Sequence, residues 1–299
     1  RLGVLGGANP GADKPLIDVR LRDGARVVAT LPPLSFRGPT LSFRKTTRDW
    51  FTLDKLFEYS TISKQMMDFI DYCVRFRTNM LLSVGPGVSP TATMNALVAQ
   101  MPTDDRIVTI ENGVELHFGQ AHRNVTALEP TQDLGLLDLV RHAVTMQADR
   151  LILGEIKGDT TYEVLQAIAG PLEGSVCGYS ARSPVEAIDR IARIELHSVF
   201  PTAIPDAKRL VASAFPVVIQ EKKFLDTSRR ITAVSEVMID GEEVVVEDIF
   251  RFKPEGVDDN LIVTGTFHAT GHRPTFLEEL SDRGEAEILH PAQPRLRVG

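Results

Sequence analysis

The sequence lacks several features that would place it in a large functional class. Only two cysteines, Cys73 and Cys177, occur in 299 residues, which is too few for a disulfide framework or a cysteine-based zinc site and is typical of the reducing cytosol. No apolar run approaches the roughly 18–20 residues that a membrane-spanning helix needs. A formal net charge of -7 argues against the basic excess that nucleic-acid-binding domains carry. We therefore expect a cytoplasmic protein with no transmembrane segment and no nucleic-acid partner.

What is present is typical of a folded globular chain. Hydrophobic residues make up 43% and charged residues 24% of the sequence, as in ordinary soluble domains. The length allows two domains, or one large α/β domain with an appendage. Residues 1–15 read as a loop that starts at Arg1 rather than at an initiator Met, so we expect more protein upstream.

The N-terminal part of the chain predicts a small sheet. Apolar and polar residues alternate from 16 to 45, which is typical of half-buried strands. Asp23-Gly24 predicts a hairpin turn, with further strands at 26–31 and 40–44. Regular apolar spacing stops at 46–52, and this predicts a domain boundary near Trp50. Residues 1–49 would then be the end of an N-terminal domain plus a linker, and residues 50–299 a second domain.

The second domain alternates short apolar strands with helical stretches, which predicts a parallel sheet covered by helices. Ligands of such sheets bind at the carboxyl ends of the strands. The predicted strands lie at 80–84, 106–110, 150–153 and 215–219, followed by a meander at 230–238, 243–252 and 261–266. The predicted helices lie at 91–100, 134–146, 160–168, 184–194, 206–214 and 275–283.

Residues 79–97, NMLLSVGPGVSPTATMNAL, have the layout of a strand, a phosphate-binding loop and a helix. An intact loop follows G-x-x-x-x-G-K-[ST], in which backbone N–H groups cradle phosphates, the lysine reaches the β/γ-phosphates and the hydroxyl holds Mg²⁺. Gly85, or Val84 before it, would open this loop, and Gly87 would keep it flexible. Ser89 stands where the last glycine belongs, Pro90 replaces the lysine, and Thr91 supplies the hydroxyl.

Pro90 removes more than a positive charge, because proline also has no N–H to offer a phosphate. The same residues make a good helix start. Ser89 is suited to the N-cap, accepting an N–H one turn in, and proline is favoured at the first helical position. An ordinary capped helix is therefore the alternative to a nucleotide site.

Several blocks together resemble the type II/type IV secretion ATPase superfamily, and most closely the assembly ATPases of Tad/Flp pili. They are PLIDVRLRDGARVVATLPPLSFRGPTLSFRK, RIVTIENGVEL, DRLILGEIKGDTTYEVLQAI, DIFRF and FHATGHRPTFLEEL, in this order along nearly the whole chain. The resemblance implies an α/β fold with a RecA-like P-loop NTPase core and a small N-terminal α+β domain, of which only the last strands are present. It also implies a hexameric ring that drives pilin assembly or secretion at the inner membrane. The implied partners are further copies or a paralogous ATPase in a ring, and an inner-membrane pilus platform protein.

The resemblance assigns the carboxylates of the site. Glu155 matches the Walker B glutamate, which polarises water and, with Thr91, serves Mg²⁺ when a nucleotide binds. Glu111 and Glu115 match the acidic box, although Asn112 stands where the family has an aspartate. The alternatives are a solvated carboxylate at a strand end for Glu155 and ordinary surface residues for the other two.

Arg20, Arg26 and Arg44 resemble arginines of the N-terminal domain that neutralise phosphate charge in the ring. Arginine suits this task because its planar fork donates two parallel hydrogen bonds. Alternating arginines on the wet face of a strand are the alternative.

Two further departures accompany the altered loop. Members of the superfamily place a histidine in a box resembling G-S-x-x-T-x-H-A-N-S-P, and here the stretch is GSVCGYSARSP, with Ser180 in place of the histidine and Arg182 in place of the asparagine. Pro171-Leu172 replaces a glycine-histidine pair just upstream. Three parts of one active site are thus altered while the scaffold segments remain similar to the family.

The leading hypothesis is a pseudo-ATPase, a catalytically degenerate secretion ATPase that serves as a structural or regulatory component of a Tad-like pilus or type II secretion motor, with no cofactor expected. A second hypothesis is a slow or atypical ATPase that uses ATP and Mg²⁺, with Lys157 or an arginine as the missing cation. A third is a sensor that holds a nucleotide or cyclic dinucleotide through Arg182 and the N-terminal arginines. His268 and His272 have the spacing of a zinc pair, but Gly271 disfavours a helix between them.

One charged feature is left over by these hypotheses. Lys222-Lys223 and Arg229-Arg230 flank a predicted turn. We interpret them as a solvated charged face. For the arginine pair, contact with an acidic neighbour in a ring is the alternative.

Overall fold

The protein is described from a computed structural model. The described residues are 15–21, 25–44, 51–111, 115–118, 122–131, 133–196, 203–259 and 261–277. By its internal contacts the chain divides into two units, Arg1–Asp49 and Trp50–Gly299. Each unit is described by itself.

The first unit contains a three-stranded antiparallel sheet with the order β1-β2-β3. The strands are β1 (Leu16–Arg20), β2 (Arg26–Thr30) and β3 (Thr40–Arg44), so the predicted strands at 26–31 and 40–44 are confirmed. The apolar side chains of Val19, Val27 and Ala29 are buried on one face. The predicted turn at Asp23-Gly24 lies outside the described residues.

The second unit is built on one nine-stranded sheet, with the order β12-β11-β10-β9-β4-β8-β7-β5-β6. Six neighbouring strands are parallel to one another, namely β9, β4, β8, β7, β5 and β6. Strands β9, β10, β11 and β12 form an antiparallel meander. The strands are β4 (Met80–Val84), β5 (Ile107–Ile110), β6 (Val125–Leu128), β7 (Arg150–Leu153), β8 (Val176–Ser180), β9 (Val217–Lys223), β10 (Arg229–Asp240), β11 (Glu243–Val257) and β12 (Val263–Ala269). The predicted parallel sheet is confirmed.

Helices cover both faces of this sheet. They are α1 (Leu53–Glu58), α2 (Lys64–Arg75), α3 (Thr91–Val98), α4 (Leu136–Thr145), α5 (Thr161–Ala169), α6 (Pro184–Arg190) and α7 (Ile204–Ala214). Helices α1 to α3 pack into one hydrophobic core, and helices α4 to α7 pack into a second core across the sheet. We call these sides the α3 face and the α6 face. Among the described residues, no helix has both the length and the apolar character needed to cross a bilayer.

Two strands were not predicted from the sequence. Strand β8 includes Gly178 and has no apolar run, which hides it from a search for buried strands. The glycine is needed because a Cβ there would lie 2.2 Å from the carbonyl oxygen of Gly154. Strand β6 is only four residues long and partly exposed, so it gives a weak pattern.

Helix ends differ from the predictions at two places. The helix predicted at 184–194 is α-helical only as far as Arg190 and then continues as a π-helix, Ile191–Leu196. π-helical turns are rare in proteins, and those that occur often lie at functional sites. The helix predicted at 275–283 lies outside the described residues beyond Leu277.

Candidate functional site

The carboxyl edge of the parallel sheet gathers the predicted loop and the predicted carboxylates Glu111 and Glu155. In register, Val84 at the end of β4 lies opposite Ser180 on β8 and opposite Glu221 on β9. Glu111 follows β5 directly, and Glu155 follows two residues after β7. Because parallel strands end at the same edge of a sheet, the loop after β4 and these side chains lie along one edge.

The loop after β4 is a turn that closes on itself. Gly85 donates its N–H to the carbonyl oxygen of Glu221 at 2.9 Å, and Val88 donates to the carbonyl oxygen of Gly85 at 3.1 Å. Gly87 has a φ of 75°, a left-handed conformation that glycine adopts without strain. Two backbone donors of the loop, at Gly85 and Val88, are therefore used inside the protein.

The helix start differs from the sequence prediction. Helix α3 begins at Thr91, and Pro90 occupies the cap position with a helical φ of -71° and ψ of -12° and without a side-chain cap. The Ser89 hydroxyl oxygen lies 3.5 Å from the Thr91 nitrogen, two residues on rather than one turn in. The prediction that Ser89 is the N-cap and Pro90 the first helical residue is thus wrong, because Pro90 takes the cap position itself and has no side-chain acceptor. Pro90 still offers neither a cation nor an N–H.

The hydroxyl of Thr91 is engaged by an acidic residue. Thr91 Oγ1 donates to Glu115 Oε2 at 2.8 Å. Asn95, one turn later on α3, donates Nδ2 to the carbonyl oxygen of Glu115 at 3.2 Å and accepts the N–H of His117 at 2.7 Å. We call residues 115–118 the acidic segment, and these bonds fasten it to α3. Sequence analysis missed Asn95, whose signal is an amide side chain in the mainly apolar run MNALV of α3.

Glu111 is a buried residue rather than a surface carboxylate. Its side chain is only 5% exposed. It accepts hydrogen bonds from the Thr109 hydroxyl at 2.9 Å, from the Glu115 N–H at 2.7 Å and from the Leu116 N–H at 2.8 Å. The carboxylate therefore organises the acidic segment. Asn112 lies outside the described residues.

Glu155 is exposed beyond the end of β7, as expected for a carboxylate that faces water. Next to it, the Tyr179 hydroxyl donates to Glu195 Oε1 at 3.3 Å, and Gly158 donates its N–H to Glu195 Oε2 at 2.6 Å. Burial, followed by the charge of Glu195, raises the pKa of Tyr179 well above its usual range. Glu195, on the π-helix, thereby fixes the segment that follows Glu155. Lys157 in this segment is exposed.

Ser180 ends β8 beside the loop. Its carbonyl oxygen accepts a hydrogen bond from Arg190 Nη1 at 2.9 Å, and the next residue, Ala181, donates its N–H to Val84 at 3.0 Å. Ser183 then caps α6 by accepting the Glu186 N–H at 3.1 Å. Ser180 thus lies at the carboxyl edge of the sheet.

Glu221 on β9 and Arg229 on β10 contact the loop and the start of α3. The sequence analysis assigned neither residue to the site. Glu221 is 1% exposed and accepts the Thr93 hydroxyl on α3 at 2.7 Å. Arg229 Nη1 lies 3.7 Å from Glu221 Oε1 and donates to the Ser89 carbonyl oxygen at 3.2 Å. Burial raises the pKa of Glu221, against the hydrogen bond from Thr93 and the charge of Arg229. A carboxylate that ends an apolar strand, as in VVIQE, is the signal that could have revealed it.

The three predicted arginines lie in one row across the first unit. In the register of the sheet, Arg26 on β2 lies opposite Arg20 on β1 and opposite Arg44 on β3. The Arg26 side chain donates two hydrogen bonds to Asp18, at 2.8 and 2.6 Å, and this bond holds the pKa of Asp18 below its usual value. Arg26 therefore already has an acidic partner within its own sheet.

The two candidate zinc ligands contact different groups. His268 Nε2 lies 2.6 Å from the Thr266 hydroxyl, and His272 Nε2 lies 2.6 Å from Glu236 Oε2. In the described parts of the chain, no three side chains of the types that bind metals come together.

The loop departs from the pattern of a magnesium-nucleotide site in its residue types. The lysine is replaced by Pro90, the hydroxyl of Thr91 is hydrogen-bonded to Glu115, and Ser180 replaces the histidine. The loop therefore offers no lysine to a phosphate, while the Thr91 hydroxyl and the Glu115 carboxylate are groups of the kinds that hold Mg²⁺.

Comparisons with known proteins identify the family. The profile described as Type II/IV secretion system protein matches residues 13–237, and the chain belongs to this family. An uncharacterised protein of Methanocaldococcus jannaschii is 28% identical over 54% of this chain, and the matched region covers only 24% of that protein. The type IV secretion system protein PtlH of Bordetella pertussis is 26% identical over 69% of this chain and 70% of its own length.

A solved structure shares the fold. The VirB11 ATPase of the Brucella suis type IV secretion system, crystallised with sulphate, superposes with a TM-score of 0.53 and 20% identity over 80% of this chain and 81% of that one. The predicted α/β fold, with a core like that of the RecA-like secretion ATPases, is thereby confirmed.

Proposed function

We propose that this member of the type II/IV secretion family is a non-hydrolysing subunit, a structural or regulatory component of a Tad-like pilus or of a type II secretion motor. The start of α3 carries the proposal. Pro90 provides no cation there, and the Thr91 hydroxyl donates to Glu115 at 2.8 Å. Relatives named as type IV secretion proteins support a role in a secretion or pilus system.

The energetic argument rests on phosphoryl transfer, in which charge neutralisation and positioning supply most of the catalysis. Removal of one well-placed donor from an enzyme site costs about 3–4 kcal/mol, or roughly 10²–10³ in rate. Loss of a full positive charge together with an N–H costs at least this much. We expect turnover below that of a relative with an intact loop by at least this factor.

A retained scaffold supports a role in assembly. The buried Arg150, 0% exposed, still pairs with Asp105 at 2.5 Å, and Glu111 still organises the acidic segment. We propose that the subunit joins further copies or an active paralogue in a ring at the inner-membrane platform of the system. Co-purification with that paralogue or platform protein tests this part of the proposal.

Steady-state ATP hydrolysis by the purified chain with Mg²⁺ tests the catalytic part. We expect no turnover above that of Glu155→Gln. The matched control is Glu58→Gln, which removes the same charge from an exposed position at the end of α1. Turnover that Glu155→Gln abolishes and Glu58→Gln preserves would show that the chain is an active ATPase.

A further inference from the structure

The end of the β9–β10 ladder places four cations in two directly opposed pairs. Lys223 lies opposite Arg229, and Lys222 lies opposite Arg230. Like charges directly opposite each other on antiparallel strands repel and destabilise the pairing. Side chains alternate between the two faces of a sheet, so one pair lies on the α3 face and the other on the α6 face.

The pair on the α3 face has an internal acid. Arg229 Nη1 lies 3.7 Å from the buried carboxylate of Glu221 and also donates to the Ser89 carbonyl oxygen. The repulsion between Lys223 and Arg229 is thus partly offset within the protein.

The pair on the α6 face has no salt bridge within the described residues. The carboxylate that acts on Arg230 is Asp226. Asp226 Oδ1 accepts the N–H and hydroxyl of Ser228 at 2.9 and 2.6 Å, and Oδ2 accepts the Val263 N–H at 2.8 Å. Asp226 thus also holds its own turn, and among the described residues neither Lys222 nor Arg230 has a carboxylate within salt-bridge distance.

A third cation follows in the chain a residue that is bonded to this face. Gln220, on the same face as Lys222, donates to the Ala181 carbonyl oxygen at 3.2 Å, and Arg182 is the next residue after Ala181. The Arg182 side chain is exposed and makes no salt bridge with another described residue, and the Arg182 backbone N–H donates to Glu186 Oε2 at 3.0 Å. We call Arg182, Lys222 and Arg230 the cation corner.

The cation corner adjoins the loop that has lost its lysine. A Cβ built on Gly85 would lie 3.8 Å from Lys222 Cγ, so the stem of this lysine runs beside the first residue of the loop. The Lys222 ammonium makes no salt bridge with any carboxylate among the described residues. The positions of both residues follow from the register of β4 and β9, which sets Val84 opposite Glu221.

We propose that the cation corner binds a phosphate-type oxyanion directly, without magnesium, on the α6 face beside the first residue of the loop after β4. Guanidinium and ammonium groups are the side chains that bind phosphate oxygens through charge-assisted hydrogen bonds. A free polyphosphate group and an anionic lipid headgroup share this chemistry.

Two neighbouring lysines give a matched test. Lys222→Met and Lys223→Met remove the same charge from adjacent exposed positions on opposite faces of β9. Inorganic pyrophosphate is titrated into the full chain by calorimetry, in EDTA and at low ionic strength. We expect saturable binding that weakens at least about tenfold in Lys222→Met, by less than about twofold in Lys223→Met, and recovers in Lys222→Arg. Equal weakening in the two methionine variants would reduce the effect to overall charge and overturn the proposal.

A second arm distinguishes the sources of the phosphate. Co-sedimentation compares vesicles of phosphatidylglycerol with vesicles of phosphatidylcholine. If the protein binds pyrophosphate but not the vesicles, the natural ligand of the cation corner is a free phosphate compound. If it binds only phosphatidylglycerol vesicles, and this binding depends on Lys222, the ligand is a lipid headgroup. Binding to neither overturns the proposal. ATP turnover that depends on Glu155 would remove the proposed function, whereas the contrast between Lys222 and Lys223 decides the cation corner separately.

Discussion

Thr91 and Glu115 join the first turn of α3 to the acidic segment through a hydrogen bond of 2.8 Å between hydroxyl and carboxylate. In a working phosphate loop the corresponding hydroxyl holds Mg²⁺. Here it satisfies a side chain of the same protein. The bond therefore contributes to the stability of the fold, and its removal is measurable without a nucleotide.

Thr91→Val should lower the free energy of unfolding by about 1–2 kcal/mol, because it removes the donor and leaves a partly buried carboxylate without it. Urea unfolding followed by circular dichroism measures the loss. The control is Thr145→Val, which removes a hydroxyl that donates to the Arg141 carbonyl oxygen on the exposed side of α4. The control should lose less than about 0.5 kcal/mol, and equal losses would mean that the bond to Glu115 adds nothing.

Glu221→Gln should change how stability depends on pH. Burial raises the folded-state pKa of Glu221 above the ordinary value of 4.5, so the folded protein binds this proton more tightly than the unfolded chain. The free energy of unfolding that Glu221 contributes therefore falls as pH rises from about 4.5 through the raised pKa, with a slope of at most about 1.4 kcal/mol per pH unit.

Glutamine keeps an acceptor for Thr93 but carries no charge. The variant should therefore gain stability relative to wild type as the pH rises, and this gain should shrink toward pH 4.5. Urea unfolding at a series of pH values measures the difference, with Glu58→Gln as the exposed control. A difference that stays constant with pH would contradict the role of burial.

Arg150→Met should lower the free energy of unfolding, measured by urea unfolding, by about 3–5 kcal/mol. This is the range for breaking a buried ion pair by removing one partner. Arg150 is 0% exposed, pairs with Asp105 at 2.5 Å, and donates to the Val74 carbonyl oxygen at 2.8 Å. The control is Arg193→Met, which breaks a surface pair with Asp189 and should cost less than about 1 kcal/mol.

Arg150 begins β7 at the amino edge of the sheet, away from the loop. If the variant remains folded, its affinity for pyrophosphate should match that of wild type. A loss of affinity in folded Arg150→Met would mean that the two edges of the sheet are coupled.

The sequence predicted the strands that a short run of neighbouring residues is enough to identify. Strands β4 and β7 were placed with the bounds that the structure has, because short apolar runs between polar residues are enough to identify a strand buried on both faces. Strand β8 was missed because Gly178 is required by a close approach to Gly154, a constraint between segments that are far apart in sequence.

The candidate site shows the same division. The replacement of lysine by Pro90 is visible in the sequence, because it is a change of residue type in a short motif. The bond between Thr91 and Glu115 is not visible, since it depends on the path of the backbone between them. The opposition of Lys222 and Arg230 depends on the register of β9 and β10, which a β-bulge shifts between Ile231 and Ala233, and sequence alone does not specify such a shift.

Restoration of the altered groups should restore binding of magnesium ATP. The test is the combined variant Ser89→Gly, Pro90→Lys and Ser180→His, since Thr91, Glu111 and Glu155 remain at the carboxyl edge of the sheet. The fold should tolerate the change. Loss of a helix cap costs about 1 kcal/mol, and here Pro90 has no side-chain cap to lose, while Ser89 Oγ lies 3.5 Å from the Thr91 nitrogen.

Circular dichroism checks the fold of the combined variant, and ATP titration with and without Mg²⁺ measures the gain. We expect an affinity that depends on Mg²⁺, which would separate it from anion binding at the cation corner. Ser180→His alone is the control and should show no gain, because Pro90 still occupies the lysine position. A folded variant without any gain would mean that the pocket differs from an active site at more positions than these, and that the chain keeps the family fold without a recoverable nucleotide site.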